Sequence, residues 1–149
     1  MKKTLLATLL ATFVLGASAL ELGINASSDR NDADHRDTGA GVTLGTHSGD
    51  LSFTGGLDYY GRKDIYKTSA VVGYDVAKFG PVTVTPKIGA AYLNNQTTAD
   101  GYAMTVGVGA SVPVTKQVSV GLDYARQYGQ DRVSQFDGNR LTAAVKYSF

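Results

Sequence analysis

The chain has 149 residues, the size of one domain, and a formal net charge of +1, too little for the basic face that nucleic-acid binding needs. It has no cysteine, which excludes disulfides, thiol chemistry and thiolate metal sites. Glycine (18 residues) and tyrosine (9) are abundant, and tryptophan is absent.

The amino-terminal residues have the pattern of a secretory signal peptide. Lys2 and Lys3 precede an apolar run from Leu5 to Leu15, and a small-x-small motif follows. The run is shorter than the roughly 20 apolar residues that a membrane-spanning helix needs, which argues against an uncleaved anchor. We expect cleavage after Ala19, with Ala17 and Ala19 as the small residues of the site.

The expected mature chain, residues 20–149, is one domain that follows the signal peptide, residues 1–19. Loss of the two leading lysines would change the formal net charge from +1 to −1, because no acidic residue precedes Glu21. No later segment reaches the length of a membrane helix, so a membrane location would require a β-barrel.

Apolar and polar residues alternate with a period of two along the mature chain, which predicts eight β-strands. Several of them match the roughly 9–11 residues of a tilted transmembrane strand. The first two are shorter, with room to extend into the polar stretch Ser27–Thr38, which we interpret as a loop. In chain order, the predicted strands are Leu20–Ala26, Gly39–Thr46, Leu51–Tyr60, Tyr66–Ala77, Val82–Leu93, Gly101–Val112, Gln117–Tyr128 and Arg140–Phe149.

The connections between the predicted strands alternate in length. Tight turns follow strands two, four and six, and the longest loops follow strands one and seven. This arrangement is typical of outer-membrane barrels, in which the short turns and both termini lie on the periplasmic side. An even number of strands also lets strand eight pair with strand one, so that no sheet edge remains.

The period-two pattern alone is compatible with two kinds of barrel: a soluble one with its apolar face inside, and a membrane one with that face toward lipid. Charge placement favours the membrane barrel, because Arg126 is the only charged residue of the predicted strands that lies in the apolar phase. Small residues and balanced charges suit a narrow interior, where charges must pair. The polar face carries four acids and four bases: Glu21, Asp58, Lys67, Asp75, Lys87, Asp123, Arg140 and Lys146.

This interior charge ladder is expected to fill the barrel and to leave no large pore. Glu21 and Lys146 are the first expected pair, since strands one and eight must adjoin. The aromatic residues support the same orientation, because they form two groups near opposite strand ends, as interfacial girdles do. The loop-side group is Tyr59, Tyr60, Tyr66, Tyr92, Tyr102, Tyr124 and Tyr128, and the turn-side group is Phe53, Tyr74, Phe79, Tyr147 and Phe149.

The strand pattern, the glycine- and tyrosine-rich composition and the terminal Val145-Lys-Tyr-Ser-Phe149 together resemble a known group. It is the OmpA/OmpX-like and opacity-protein group of the porin superfamily, small eight-stranded outer-membrane barrels of Gram-negative bacteria. The resemblance implies that Tyr147 and Phe149 form the signal read by the barrel-assembly machinery. It implies little about function, because members include structural anchors, adhesins and lipid A-modifying enzymes.

Catalytic and metal-binding residues are sparse. His47 lies in a predicted tight turn, where we expect it to be solvated. His35 lies in the acidic loop Asp29–Asp37, near Ser27 and Ser28, but no spacing matches a hydrolytic site. Weak Ca²⁺ binding by the aspartates of this loop is an alternative, although the loop lacks the glycine and terminal glutamate of an EF-hand. Those aspartates are Asp32, Asp34 and Asp37.

Arg126 is the sharper candidate. It lies on the apolar face near the outer rim, between Tyr124 and Tyr128, where an arginine could bind a lipopolysaccharide phosphate. A rim residue without a defined partner is the equally open alternative.

The sequence therefore predicts a monomeric eight-stranded outer-membrane β-barrel with a structural or surface-interaction role and no enzymatic activity, cofactor or metal. Its expected partners are outer-membrane lipid, lipopolysaccharide and the assembly machinery, and nucleic acid is not among them. Two alternatives remain: a lipid A-modifying enzyme of the outer leaflet, and a soluble periplasmic barrel that binds a small ligand.

Overall fold

The computed structural model describes residues 20–32, 35–61, 64–95, 100–130 and 137–149. The expected cleavage residues Ala17 and Ala19 lie outside these ranges. Within them the chain forms nine β-strands: β1 (Leu20–Asn31), β2 (Arg36–Ser48), β3 (Leu51–Tyr60), β4 (Ile65–Tyr74), β5 (Ala77–Phe79), β6 (Val82–Asn95), β7 (Asp100–Pro113), β8 (Val118–Gly129) and β9 (Gly138–Ser148).

The strands close into an antiparallel up-and-down barrel. Their order is β4-β3-β2-β1-β9-β8-β7-β6-β5, and β4 also pairs with β6. Eight long strands thus form the wall, while β5 pairs only with the start of β6. The predicted fold class is confirmed, including the pairing of the first and last strands. Hereafter the turn end is the end with Leu20 and Phe149, and the loop end is the opposite one.

The first two strands are longer than predicted. Most of the expected loop Ser27–Thr38 continues β1 and β2, which stay paired as far as Arg30 opposite Arg36. This segment is polar on both faces of the wall, so its sequence lacks the alternation of apolar and polar residues from which the strands were predicted. Inside the barrel, Ser27 and Asp29 have hydrogen-bond partners that satisfy them.

The fourth predicted strand is interrupted. β4 ends at Tyr74, and Asp75 and Val76 separate it from β5. The Asp75 amide donates to the Asp50 carbonyl at 2.8 Å, and the Val76 amide donates to the Val84 carbonyl at 3.1 Å. The chain thereby leaves β3 and forms a hairpin with β6, which closes at Gly80 in the left-handed region (φ 60°).

The outside of the wall is apolar on every long strand. One large outward side chain from each is between 39% and 64% exposed: Ile24, Val42, Leu57, Val72, Ile88, Val106, Leu122 and Val145. A continuous apolar exterior of this extent matches a lipid environment, because a barrel in water would expose a far more polar surface. No helix long and apolar enough to cross a membrane occurs in the described ranges.

The inside of the loop half has its own small apolar core. Five buried residues form it: Tyr60, Ile65, Ala91, Leu93 and Ala103. The assignment of Tyr60 to the outer girdle is therefore wrong. Successive side chains of a strand point to opposite faces, so Tyr59 faces outward and Tyr60 faces the interior.

Candidate functional site

Arg140 organises the charged residues in the loop half of the interior. Its guanidinium donates from Nε to Asp29 Oδ1 at 2.7 Å and from Nη2 to Asp29 Oδ2 at 2.8 Å. Asp58 Oδ2 lies 3.9 Å from Nη1, and the Tyr60 ring centroid lies 5.3 Å from the guanidinium carbon. Three strands, β9, β1 and β3, are therefore joined through one cation.

Lys67 of β4 lies next to this network, directly across from Asp58 of β3, and its side chain fills the interior. Its side chain is only 1% exposed, and Nζ donates to Gln127 Oε1 at 2.9 Å. The Tyr60 and Ser27 hydroxyls are hydrogen-bonded at 3.0 Å. The cavity that remains near Arg140 and Leu93 is small, about 30 Å³.

We call Tyr60, Ile65, Lys67, Leu93 and Arg140 the loop-side seal. All five side chains point into the barrel from β3, β4, β6 and β9. Together with Ala91 and Ala103 they pack the loop half of the interior.

The turn half of the interior is open. A cavity of about 280 Å³ extends inward from the turn end and is lined by charged and hydroxyl side chains. Lys146 Nζ lies 3.5 Å from Glu21 Oε2, the pair expected from the sequence. Lys87 contacts Asp123 directly.

Further contacts complete the cavity wall. The Thr85 hydroxyl donates to Asp75 Oδ1 at 2.6 Å. His47 is not the solvated turn residue that was expected, because it belongs to β2 and its Nε2 lies 3.3 Å from Glu21 Oε2. The structure therefore brings the histidine inside, next to the carboxylate that also contacts Lys146.

The eight residues of the charge ladder all project inward, but the sequence interpretation missed several of their partners. Asp29 was placed in a loop, His47 in a turn, and Gln127 was not considered. Each nevertheless has the parity of an inward residue on its strand: Asp29 is in phase with Glu21, and Gln127 with Asp123. Continuing the period-two pattern to the strand ends would have identified them.

Arg126 lies on the outer face near the loop end, in the outward phase of β8. Its Nη2 donates to Asp32 Oδ2 at 2.8 Å, and its Nη1 to Asn139 Oδ1 at 3.5 Å. The guanidinium carbon is 5.5 Å from the Tyr128 ring centroid. Arg126 therefore has partners within the protein, and its role toward lipopolysaccharide stays a prediction.

The outward aromatic residues form close pairs, two of them across neighbouring strands. Ring centroids are 4.9 Å apart for Tyr59 and Tyr66 and 5.2 Å apart for Tyr92 and Tyr102, near the loop end. At the turn end, Tyr147 and Phe149 of the expected assembly signal are 5.0 Å apart in an edge-on arrangement. Such pairs add to the stability of the wall at the levels where aromatic girdles meet lipid headgroups.

The residues considered for hydrolysis are not assembled into a site. The Ser27 hydroxyl is inside the barrel, bonded to Tyr60, whereas Ser28 faces outward. His35 is exposed near the end of the β1–β2 hairpin, where its backbone amide donates to Asn31 Oδ1 at 2.8 Å.

The Ca²⁺ alternative does not fit the structure either. Asp32 pairs with Arg126 on the outer side, while Asp37 is buried inside. Asp34 lies outside the described residues. Among the residues that are described, no group of three or more histidines or carboxylates could hold a metal ion.

Comparison with known proteins shows the fold. No protein-family model matches the sequence, and no curated protein is significantly similar in sequence. The structure is similar to that of Neisserial surface protein A, with a TM-score of 0.67, 16% identity, and coverage of 88% of this chain and 96% of that one.

Two further structures agree. A major outer membrane protein from Thermus thermophilus gives a TM-score of 0.59 at 13% identity, with coverage of 87% of this chain and 99% of that one. Ail, the attachment invasion locus protein of Yersinia pestis, gives 0.51 at 11% identity, with coverage of 88% and 97%. The chain thus has the fold of the small outer-membrane β-barrels, which confirms the class recognised from the sequence and agrees with the expected outer-membrane location.

Proposed function

We propose that the chain is a monomeric outer-membrane barrel with a structural or surface-interaction role and a side-chain-filled interior without a large pore. The observation that carries this proposal is the loop-side seal. Tyr60, Ile65, Lys67, Leu93 and Arg140 occupy the loop half of an interior that eight strands make only wide enough for side chains. The turn-end cavity therefore ends blindly at the seal.

The barrel is oriented with its loop end toward the cell exterior. The short turns and both termini lie at one end, which supports this orientation because it is the arrangement of outer-membrane barrels. Outer-membrane lipid then surrounds the apolar exterior, and lipopolysaccharide meets the loop-end rim that carries Arg126.

The terminal strand carries the signal for assembly. Phe149 is 72% exposed on the outer face, next to Tyr147, and its amide donates to the Leu20 carbonyl at 3.0 Å. An exposed aromatic pair on the strand that closes the barrel is a suitable recognition element for the assembly machinery.

The chain is not an enzyme. This part of the proposal is supported by the separation of Ser27, His35 and Asp37, which face the interior, the solvent and the interior respectively. A nucleophile needs an oriented base within hydrogen-bond distance, and His35 is not placed to act on Ser27.

Two measurements test the proposal. Planar-bilayer recordings of the refolded protein should show no large, steady conductance, and such a conductance would contradict the seal. Lipid A mass spectra from cells with and without the protein should be identical. An added or missing acyl or polar group in the presence of the protein would instead establish the lipid A-modifying alternative.

A further inference from the structure

Acids and lysines line the turn-end cavity in equal number. The cavity has a volume of about 280 Å³ and lies inside the barrel, open at the turn end. Because the opposite charges balance, the lining favours a ligand that carries both signs of charge and is neutral overall. The six residues are Glu21, Asp75, Asp123, Lys87, Lys116 and Lys146.

Four of these six residues are paired with each other across the wall. Glu21 Oε2 lies 3.5 Å from Lys146 Nζ and 3.3 Å from His47 Nε2. Lys87 contacts Asp123 directly. These charges are therefore neutralised within the protein.

Asp75 and Lys116 are the other two. Asp75 Oδ1 accepts a hydrogen bond from the Thr85 hydroxyl at 2.6 Å, a neutral donor. In the part of the chain that the structure describes, neither Asp75 nor Lys116 belongs to an ion pair. The cavity thus offers one carboxylate and one ammonium group to a ligand.

A β-bulge positions Asp75 at the cavity wall. The pairing of the chain with β6 shifts by one position between Gly73 and Ala77. In this interval β6 carries Pro86, which has no amide hydrogen for the ladder. Asp75 borders the cavity, whereas Val76 is 57% exposed. Bulges often lie next to functional sites, because they re-aim a side chain.

The two unpaired charges lie on different sides of the cavity. Asp75 follows β4, and Lys116 belongs to the turn between β7 and β8, so β6 and β7 separate them in the wall. With neighbouring strands about 4.8 Å apart, this corresponds to about 10–14 Å. The long lysine side chain shortens the gap, and an extended dipeptide spans about 7 Å. The cavity is also near the lower limit of small-molecule sites, roughly 300–1,000 Å³, which excludes much larger ligands.

We infer that the turn-end cavity binds a zwitterion of dipeptide size, with the ammonium group of the ligand on Asp75 and its carboxylate on Lys116. The hydroxyl groups of Ser111 and Ser119 also line the cavity and can hydrogen-bond the peptide group of the ligand. This inference goes beyond the proposed function. It needs only the closed barrel and not its location in the outer membrane.

The test titrates the mature chain, refolded in detergent, with the dipeptide alanyl-alanine and follows the backbone amide signals by NMR. The wild type should bind it saturably at millimolar concentrations, with the signal shifts concentrated in the turn half. N-acetylated alanyl-alanine lacks the ammonium group, and alanyl-alanine amide lacks the carboxylate. Each should bind at least about tenfold more weakly, because each loses one charge-assisted hydrogen bond.

Two variants identify which residue binds each end of the ligand. Asp75→Asn should weaken alanyl-alanine about tenfold and leave binding of the N-acetylated form unchanged. Lys116→Gln should weaken alanyl-alanine similarly and leave binding of the amide unchanged. The matched controls are Asp50→Asn and Lys78→Gln, which remove the same charges from exposed positions at the turn end and should bind like the wild type.

Absence of saturable alanyl-alanine binding by the wild type would overturn the inference, as would equal binding of the dipeptide and its two blocked forms. Equal weakening by the control variants would also overturn it. A tenfold loss of the N-acetylated form in Asp75→Asn would do so too, because that form has no ammonium group for Asp75 to bind.

Heat-dependent gel migration of each protein shows that its barrel is closed before the titration. If a variant fails to fold, the two blocked dipeptides still decide the question, since they are tested on the wild type. A protein that binds alanyl-alanine but is absent from the outer membrane would refute the proposed function and leave the inference intact.

Discussion

Replacing Arg140 with methionine removes the cation that joins carboxylates of two other strands inside the barrel. Arg140 donates two hydrogen bonds to Asp29 and lies 3.9 Å from Asp58. The Arg140 side chain is 12% exposed and that of Asp58 only 8%, so water replaces little of the lost contact. Removal of one partner of a buried ion pair costs about 3–5 kcal/mol, and we expect Arg140→Met to lower the free energy of unfolding by about that much.

A double-mutant cycle separates the ion pair from the packing of the long side chain. Asp29→Asn alone leaves Arg140 with Asp58, and the double variant leaves neither member of the bidentate pair. We expect the double variant to cost less than the sum of the single variants, with a coupling free energy of about 2 kcal/mol. Lys146→Met is the matched control. It should cost about 1 kcal/mol or less, because Lys146 borders the open cavity and Glu21 keeps its contact with His47.

The assay is reversible urea unfolding of the protein refolded into lipid vesicles. Tyrosine fluorescence and gel mobility report the folded fraction, since the chain has no tryptophan. A loss below about 1 kcal/mol for Arg140→Met, together with a coupling free energy near zero, would refute the reasoning that this pair is buried and stabilising. A loss equal to that of Lys146→Met would do the same.

Three further predictions concern the wall, the seal and the assembly signal. Leu122 lies near the middle of β8 and is 58% exposed. Leu122→Arg should lower the free energy of unfolding in vesicles by about 2–4 kcal/mol if that face meets lipid, and Val120→Arg, nearer the strand end, should lower it less. Equal, negligible losses would argue against lipid. Gly39→Val would place a Cβ 2.6 Å from Tyr60 Cε1 and displace the Tyr60 ring from the interior. Urea unfolding should therefore show a free energy of unfolding lower by about 1–3 kcal/mol. An unchanged value would contradict this packing. Deletion of Phe149 should reduce the amount of folded protein recovered from outer membranes while urea unfolding of the refolded variant changes little, and normal recovery would contradict the signal.

The architecture was predictable because a membrane barrel repeats one rule along the whole chain. Outward residues such as Val106 and Leu122 are apolar, and inward residues such as Lys87 and Asp123 are small or charged. This alternation indicates both the strand positions and the side that faces lipid.

The rule gives no information where both faces are polar. At the loop end, Ser27 and Asp29 face the interior while Ser28 and Arg30 face outward, so this part of β1 resembled a loop. Only the partners reveal the strand, because Tyr60 and Arg140 come from distant parts of the chain and complete its inward side.

The strand register also determines which charges meet, and alternation does not specify it. Arg140 contacts Asp29, a residue that was absent from the predicted ladder, because β1 and β9 place them directly opposite each other. The alignment of Arg30 with Arg36 and Asn139 likewise follows from pairing alone.

The central claim, an eight-stranded barrel in the outer membrane, is tested most directly by cell fractionation combined with gel migration of heated and unheated samples. The protein should appear in the outer-membrane fraction and migrate faster before heating than after it, because the closed barrel resists detergent unfolding. A protein found in the soluble periplasmic fraction, or one whose migration does not depend on heating, would contradict the account.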